Sequence, residues 1–171
     1  KSNKIIIILF YYIMKHNSKS ISHRQGGRPT TNKTRKHKSS NMTKKQIVRY
    51  MLQMLITVKL YHWNTLSFSV HKATDDLYGE LNTLIDQFVE VLLGKGENVS
   101  EKKKHEILNT KTLHLKSFKD NGGFKKEIDS YKKFMINLGK QFNQRENSDI
   151  LNVRDEILAT LNKMSYLLTL K

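Results

Sequence analysis

Four side chains able to hold a metal fall within thirty residues of this chain: His62, His71, Asp86 and Glu90. Asp86 and Glu90 stand four apart, so on a helix they share one face and can hold a single hard or borderline cation between them. The two imidazoles bias such a site toward iron, zinc or manganese. The 171 residues include no cysteine, which excludes disulfides, thiolate metal sites and cysteine nucleophiles. Any metal must therefore use histidine and carboxylate. If His71 and Asp86 lie on one helix, their fifteen-residue separation amounts to about 22 Å at 1.5 Å per residue. The four groups then cannot meet within one chain. Two chains packing this region across a two-fold axis would place the histidine end of one against the carboxylate end of the other, giving two equivalent mixed sites.

The elements that must position these residues are helices. The chain has one proline, Pro29, and no stretch that alternates like a strand. Thr43 can cap a helix whose apolar residues Ile47, Val48, Met51, Leu52, Leu55, Ile56 and Val58 recur at three and four, continuing to about Asn64. A second helix begins near Val70 with Ser67 or Ser69 as cap, and runs through Leu77, Leu81, Leu84, Ile85, Phe88, Val89 and Leu92 to a stop at Gly94. The short link from Thr65 to Ser69 makes these two antiparallel neighbours. Residues 100–120 are polar, and Ser100 can cap one or two short outer turns. Gly122 and Gly123 then precede a third long helix bearing Phe124, Ile128, Tyr131, Phe134, Met135, Leu138 and Phe142. A fourth runs from Ser148 or Asp149 to the end, with Ile150, Leu151, Ile157, Leu158, Leu161, Met164, Leu167 and Leu168. The pattern predicts an all-α antiparallel four-helix bundle over residues 43–171, with a long crossover between the second and third long helices.

The formal charge of +16 is unevenly spread. Of the 31 Lys and Arg, 15 lie in residues 1–74, which contain no Asp or Glu, leaving 16 basic against 15 acidic residues in the remainder. A nearly neutral body behind a basic leader implies an electrostatic arm with polyanions as partners. Residues 1–42 are expected to form a disordered basic tail, because residues 15–41 carry almost no apolar side chains to offset chain entropy. Lys15, Lys19, Arg24, Arg28, Lys33, Arg35, Lys36 and Lys38 would bind DNA phosphates without sequence preference and with strong salt dependence. The apolar run from Ile5 to Met14 is half of what a membrane-spanning helix needs, about 20 residues, and no small-residue cleavage site follows it. Neither membrane insertion nor secretion is expected, and translation from Met14 or Met42 is an alternative start.

The run His62-Trp63-Asn64, the segment Val70-His71-Lys72-Ala73-Thr74-Asp75-Asp76-Leu77-Tyr78, and the later Asp86 and Glu90 resemble the signature of the Dps family, the ferritin-like DNA-protecting mini-ferritins. Asp155 to Leu158 and Asn162 to Leu168 are similar to that family's closing helix, so the resemblance spans about residues 43–171. The resemblance implies a ferritin-like bundle with an iron-oxidising centre at the subunit two-fold, its ligand set being His62, His71, Asp75, Asp86 and Glu90. It also implies an oligomer built from dimers, in that family a dodecamer. In this set Asp75, one turn beyond His71, is expected to orient that imidazole rather than bind metal directly. The sequence departs from the family in the nine-residue interval between His62 and His71, shorter by about one turn, and in lacking a glycine there. It is also similar to uncharacterised ferritin-like proteins of large DNA viruses. The E-x-x-H pair of ordinary ferritins is absent, the last helix having no histidine.

The expected function is Fe(II) oxidation by peroxide or oxygen with storage of the ferric product, in a cytoplasmic or nucleoid-associated protein, or a virion or viral-factory one if the gene is viral. The alternative is a nucleic-acid-binding or packaging protein whose bundle only oligomerises. Under that alternative His62 and Trp63 close a helix end, and Asp86 and Glu90 are a solvated helix face. His105-Glu106 opens a zinc-peptidase-like pattern, but Asn109 occupies the second histidine's place. His114 and the leader histidines His16, His23 and His37 are expected to be exposed, and Met51, Met54, Met135 and Met164 to be core.

Overall fold

The computed structural model describes residues 41–95 and 100–170, and all the secondary structure among them is helical. The basic leader, with its eight expected DNA-binding residues, lies outside the described residues. Five helices follow in order: α1 (Lys44–Asn64), α2 (Phe68–Gly94), α3 (Glu101–Leu108), α4 (Asn121–Gly139) and α5 (Ser148–Leu167). No helix among the described residues is long and apolar enough to cross a membrane.

Local chemistry sets most boundaries. Thr43 accepts from the Gln46 backbone while the Gln46 side chain accepts from the Thr43 backbone, a reciprocal capping box that starts α1. Ser67 caps α2 and Ser100 caps α3. Gly122 and Gly123, expected before the third long helix, lie inside the first turn of α4. Asp120 accepts from the Gly123 backbone at 2.7 Å and so starts the helix ahead of both glycines. A Cβ at Gly123 would meet the Phe118 ring at 3.3 Å, so a larger residue there requires that ring to give way by a few tenths of an ångström. The α3 helix buries no side chain, as expected for an outer turn.

Side chains fix how the helices run past one another. Lys44 at the start of α1 donates to the carbonyls of Leu92 (2.8 Å) and Lys95 at the end of α2, satisfying acceptors that the helix terminus leaves open. Burial there lowers the Lys44 pKa, and the nearby charge of Lys95 adds to the shift. Glu80 of α2 accepts from Lys163 (2.6 Å) and Thr160 (3.1 Å) of α5, while Lys95 pairs with Asp149 at 2.8 Å. Ser165 of α5 and Lys132 of α4 both donate to Asp129. Tyr50 of α1 lies against Phe134 of α4, with ring centroids 4.2 Å apart, and Tyr61 stacks on Phe124 at 4.0 Å. The pairs Lys44–Leu92, Lys95–Asp149, Tyr50–Phe134 and Tyr61–Phe124 join the start of one helix to the later part of another, so α1 runs antiparallel to α2 and α4, and α2 to α5. Between α2 and α4 the chain returns along α1, where Gln53 donates to the His114 carbonyl and Asn64 to the Phe118 carbonyl.

The core holds most of the apolar residues expected, including Ile47, Met51, Leu81, Phe88, Phe124, Ile128, Met135, Ile150, Ile157 and Leu161, while Leu52, Leu84, Val89, Phe142, Leu158 and Leu168 are only partly buried against it. Buried polar residues are few and paired. Glu127 accepts from Lys116 at 2.7 Å, which ties the returning segment to α4. Burial raises the Tyr131 pKa, the largest effect on that group.

Glu80 and Asp129 are both held below the ordinary carboxylate range, chiefly by hydrogen bonds from Lys163 and Lys132 respectively. Their stabilising contribution is full above the unfolded pKa, about 4, and is lost as the pH falls through each lowered folded value. Glu80→Gln is therefore expected to flatten the acid limb of a urea-midpoint-versus-pH curve. The carboxylate is 41% exposed, so the effect at neutral pH is a few tenths of a kcal/mol. An unchanged acid limb would show that the pair contributes nothing.

Candidate functional site

The hairpin between α1 and α2 is closed by three residues, Thr65 to Ser67, which brings the last turn of α1 against the first turn of α2. His62 and His71 meet there. Their rings stack with centroids 4.0 Å apart and planes 24° from parallel. His62 Nδ1 donates to the His71 carbonyl at 3.0 Å, and His71 Nδ1 donates to the His62 carbonyl at 2.9 Å. The His62 carbonyl belongs to the last turn of α1, where no helical N–H follows to bond it. A carbonyl only accepts, so each Nδ1 carries a proton, and Nε2 is the ring nitrogen left to act as a ligand atom. A backbone carbonyl fixing one ring nitrogen while the other stays free is the arrangement that orients a metal-binding imidazole. It is equally a sufficient cap for a helix end.

His62 is buried and His71 half-buried. Buried Thr74 supports both, donating to the Val70 carbonyl (2.8 Å) or the His71 carbonyl (3.0 Å), with its oxygen 3.4 Å from His62 Nδ1. Asp75 does not take the place expected for it. Its Oδ1 lies 3.6 Å from His62 Nε2 and 3.8 Å from Lys59 Nζ, so it faces across the hairpin and does not orient His71. The reason is electrostatic and geometric: Lys59 of α1 draws the carboxylate across, and the His62 carbonyl already holds His71. Lys59 also lies over the Tyr78 ring at 4.5 Å and near the Trp63 ring at 5.6 Å.

Asp86 and Glu90 are exposed on the same helix, with no ion pair or side-chain hydrogen bond among the described residues. They remain a carboxylate pair one turn apart, about four helical turns from His71. No group of three or more His, Asp or Glu placed to hold a metal occurs among the described residues. The chain thus brings His62, His71 and Asp75 together and leaves Asp86 and Glu90 apart. The exposed His105 and His114 belong to neither group.

Three contributors to the hairpin were not anticipated from sequence: Thr74, Lys59 and the exposed apolar tip. Thr74 stands three after His71, which places it on the same face, and that spacing was the available signal. At the tip, Trp63, Leu66 and Phe68 are 67%, 104% and 79% exposed, around a turn that also holds the two histidines.

A body whose described residues form only helices, with a paired-histidine hairpin, is the class that fold and site define. Residues 62–168 match the model of a family of unknown function, DUF5856, and the chain belongs to that family. No curated protein and no solved structure matches it.

Proposed function

We propose that the chain is the subunit of a ferritin-like four-helix bundle with a long crossover, similar to the Dps family, and that it oxidises Fe(II) at a site shared between subunits. His62 and His71 of one subunit, with Asp75 beside them, would face Asp86 and Glu90 of the partner subunit across a two-fold axis. Iron is the substrate: Fe(II) binds there, loses an electron to peroxide or dioxygen, and is stored as ferric mineral. Neutral imidazoles admit the ferrous ion and carboxylates favour the hard ferric product. The basic leader would hold the oligomer on DNA, coupling iron and peroxide removal to DNA protection in a cytoplasmic, nucleoid-associated or viral setting.

The observation that carries this reading is the reciprocal Nδ1 hydrogen bonding, which leaves both Nε2 atoms without a backbone partner, that of His62 facing the Asp75 carboxylate at 3.6 Å. Two further features support it. Trp63, Leu66 and Phe68 present an apolar tip suited to burial against another subunit. Asp86 and Glu90 are unengaged within the described residues of their own chain. Against it stands a second reading, a non-catalytic oligomerising and nucleic-acid-binding protein, which the same histidine geometry favours insofar as mutual capping explains both rings.

Peroxide-driven oxidation of anaerobically added Fe(II) separates the two. The intact protein is expected to oxidise Fe(II) well above buffer, and Asp86→Ala with Glu90→Ala to bring the rate down to background at equal subunit concentration. Both carboxylates are exposed, so the double variant is expected to fold. Equal rates for intact protein and variant would remove the iron reading and leave the second.

A further inference from the structure

The folded body is not electrically uniform. The helices α1, α3 and α4, together with residues 109–120, carry fourteen Lys or Arg against five Asp or Glu, whereas α2 and α5 carry three against eight. Helices α1 and α4 touch each other, and the returning segment lies on them through Gln53, Asn64 and Glu127. These elements thus bring most of the cations together, although Lys44 and Lys59 of α1 reach across to α2, and the acidic helices α2 and α5 pack on each other.

Within this basic group lies a groove of about 660 Å³ between α1 and α4. Ser130, Lys133, Asn137 and Lys140 line one wall at intervals of three and four, a single stripe along α4. Tyr50 and Phe134 meet at its floor. Among the described residues no acidic one lines it. Gln141 fixes the end of the groove, its amide donating to the Met42 carbonyl (2.7 Å) and accepting from the Met42 N–H (2.9 Å). Lys133 and Lys140 are exposed and have no ion pair among the described residues, although Lys132 and Lys116 nearby are paired with Asp129 and Glu127. Asn41 also lines the groove, and the basic leader precedes it directly in sequence.

We propose that this α1–α4 groove binds the phosphate backbone of nucleic acid, giving the folded body its own contact in addition to the leader. Two lysines two helical turns apart stand about 10 Å from each other along the helix, a span over which a nucleic-acid strand presents more than one phosphate. The neutral Asn137 between them and Ser130 one turn before Lys133 can donate to neighbouring phosphate oxygens. Helix–helix grooves of this size are usually apolar; here the two cations, with no acid to neutralise them, select a polyanion. The inference stands apart from iron chemistry and holds under either reading of the hairpin.

The test is binding of a labelled DNA duplex across a salt series, using the full chain and three variants: Lys133→Gln/Lys140→Gln in the groove, Lys102→Gln/Lys103→Gln on α3, and Lys36→Gln/Lys38→Gln in the leader. Removing two phosphate contacts is expected to lower the slope of log K against log salt by about 1.8 for the groove variant. The α3 variant, with the same change of net charge, is expected to change it much less. The groove and leader losses should add when the two variants are combined. A groove variant with the slope of the intact chain overturns the proposal, and so does an α3 variant losing as much as the groove variant. Vesicles of phosphatidylserine and phosphatidylcholine serve as a second probe. Weakened vesicle binding with an unchanged DNA slope would also overturn it in favour of a membrane surface.

Discussion

His62→Ala is expected to cost about 2–4 kcal/mol of folding stability and His71→Ala about 1–2 kcal/mol, measured as shifts of the urea midpoint at constant slope. The difference follows from burial. The His62 ring is 6% exposed and stacked, so its removal leaves a cavity in the hairpin, whereas the half-buried His71 leaves a space that water can enter. The carbonyls respond in the opposite sense. Without His62, the His71 carbonyl keeps the Thr74 hydroxyl; without His71, the terminal carbonyl of α1 loses its side-chain donor. The cavity term is the larger, so His62→Ala should be the more damaging. Asparagine separates structure from chemistry, because its amide nitrogen can stand where Nδ1 stood while nothing replaces Nε2. His62→Asn and His71→Asn are therefore expected to recover part of the lost stability and still to reduce peroxide-driven Fe(II) oxidation to the rate of the Asp86→Ala/Glu90→Ala variant. Retained oxidation in folded asparagine variants would make the histidines helix-end caps alone.

The hairpin also shows where sequence reasoning reaches its limit. Four long helices were legible because Ile47, Met51, Leu55 and Val58, and likewise Leu77, Leu81, Ile85 and Phe88, recur at the helical period, and each of these residues is buried. Periodicity reports which side of a helix is buried, so it also separated Asp86 and Glu90, on the solvent side, from the core. It does not report what happens where a helix stops. The expectation that Asp75 orients His71 followed from an intrahelical spacing of four. The actual arrangement depends on Lys59 and on a carbonyl of α1, both of which approach from the other helix. The glycines at 122 and 123 misled for a related reason. Glycine ordinarily breaks a helix, but Asp120 caps this one ahead of them and Phe118 lies close against Gly123, where a side chain would otherwise stand. Net charge hid as much as it showed. Residues 75–171, with 16 basic and 15 acidic residues, look neutral along the sequence, and only the placement of the helices, with α2 and α5 packed together and α1 meeting α4 through Tyr50 and Phe134, shows that most cations and most acids lie on different helices.

Phe124→Ala is expected to cost about 3–5 kcal/mol, the range for removing a fully enclosed aromatic ring. Phe124 is completely buried, stacked on Tyr61 at 4.0 Å and edge-on to Phe118 at 6.0 Å. Tyr61 in turn meets Phe118 edge-on at 6.4 Å and donates its hydroxyl to Asn121 at 2.6 Å. One ring thus joins α1, the returning segment and α4, and its nearest partner on α1 precedes His62 directly. Loss of the ring should therefore be felt beyond its own cavity. Amide exchange is expected to speed up at the start of α4 and in the last turn of α1, while α2 near Phe88 and α5 keep their protection until global unfolding. Phe124→Leu, which refills most of the volume, should restore much of the stability but not the stacked pair, leaving a deficit of about 1 kcal/mol. Exchange that rose uniformly through all four long helices would instead mean that Phe124 acts only through the global stability of the core and that the hairpin is not specially coupled to it. Local acceleration confined to the two helix ends would tie the geometry of the histidine pair to the aromatic cluster beneath it.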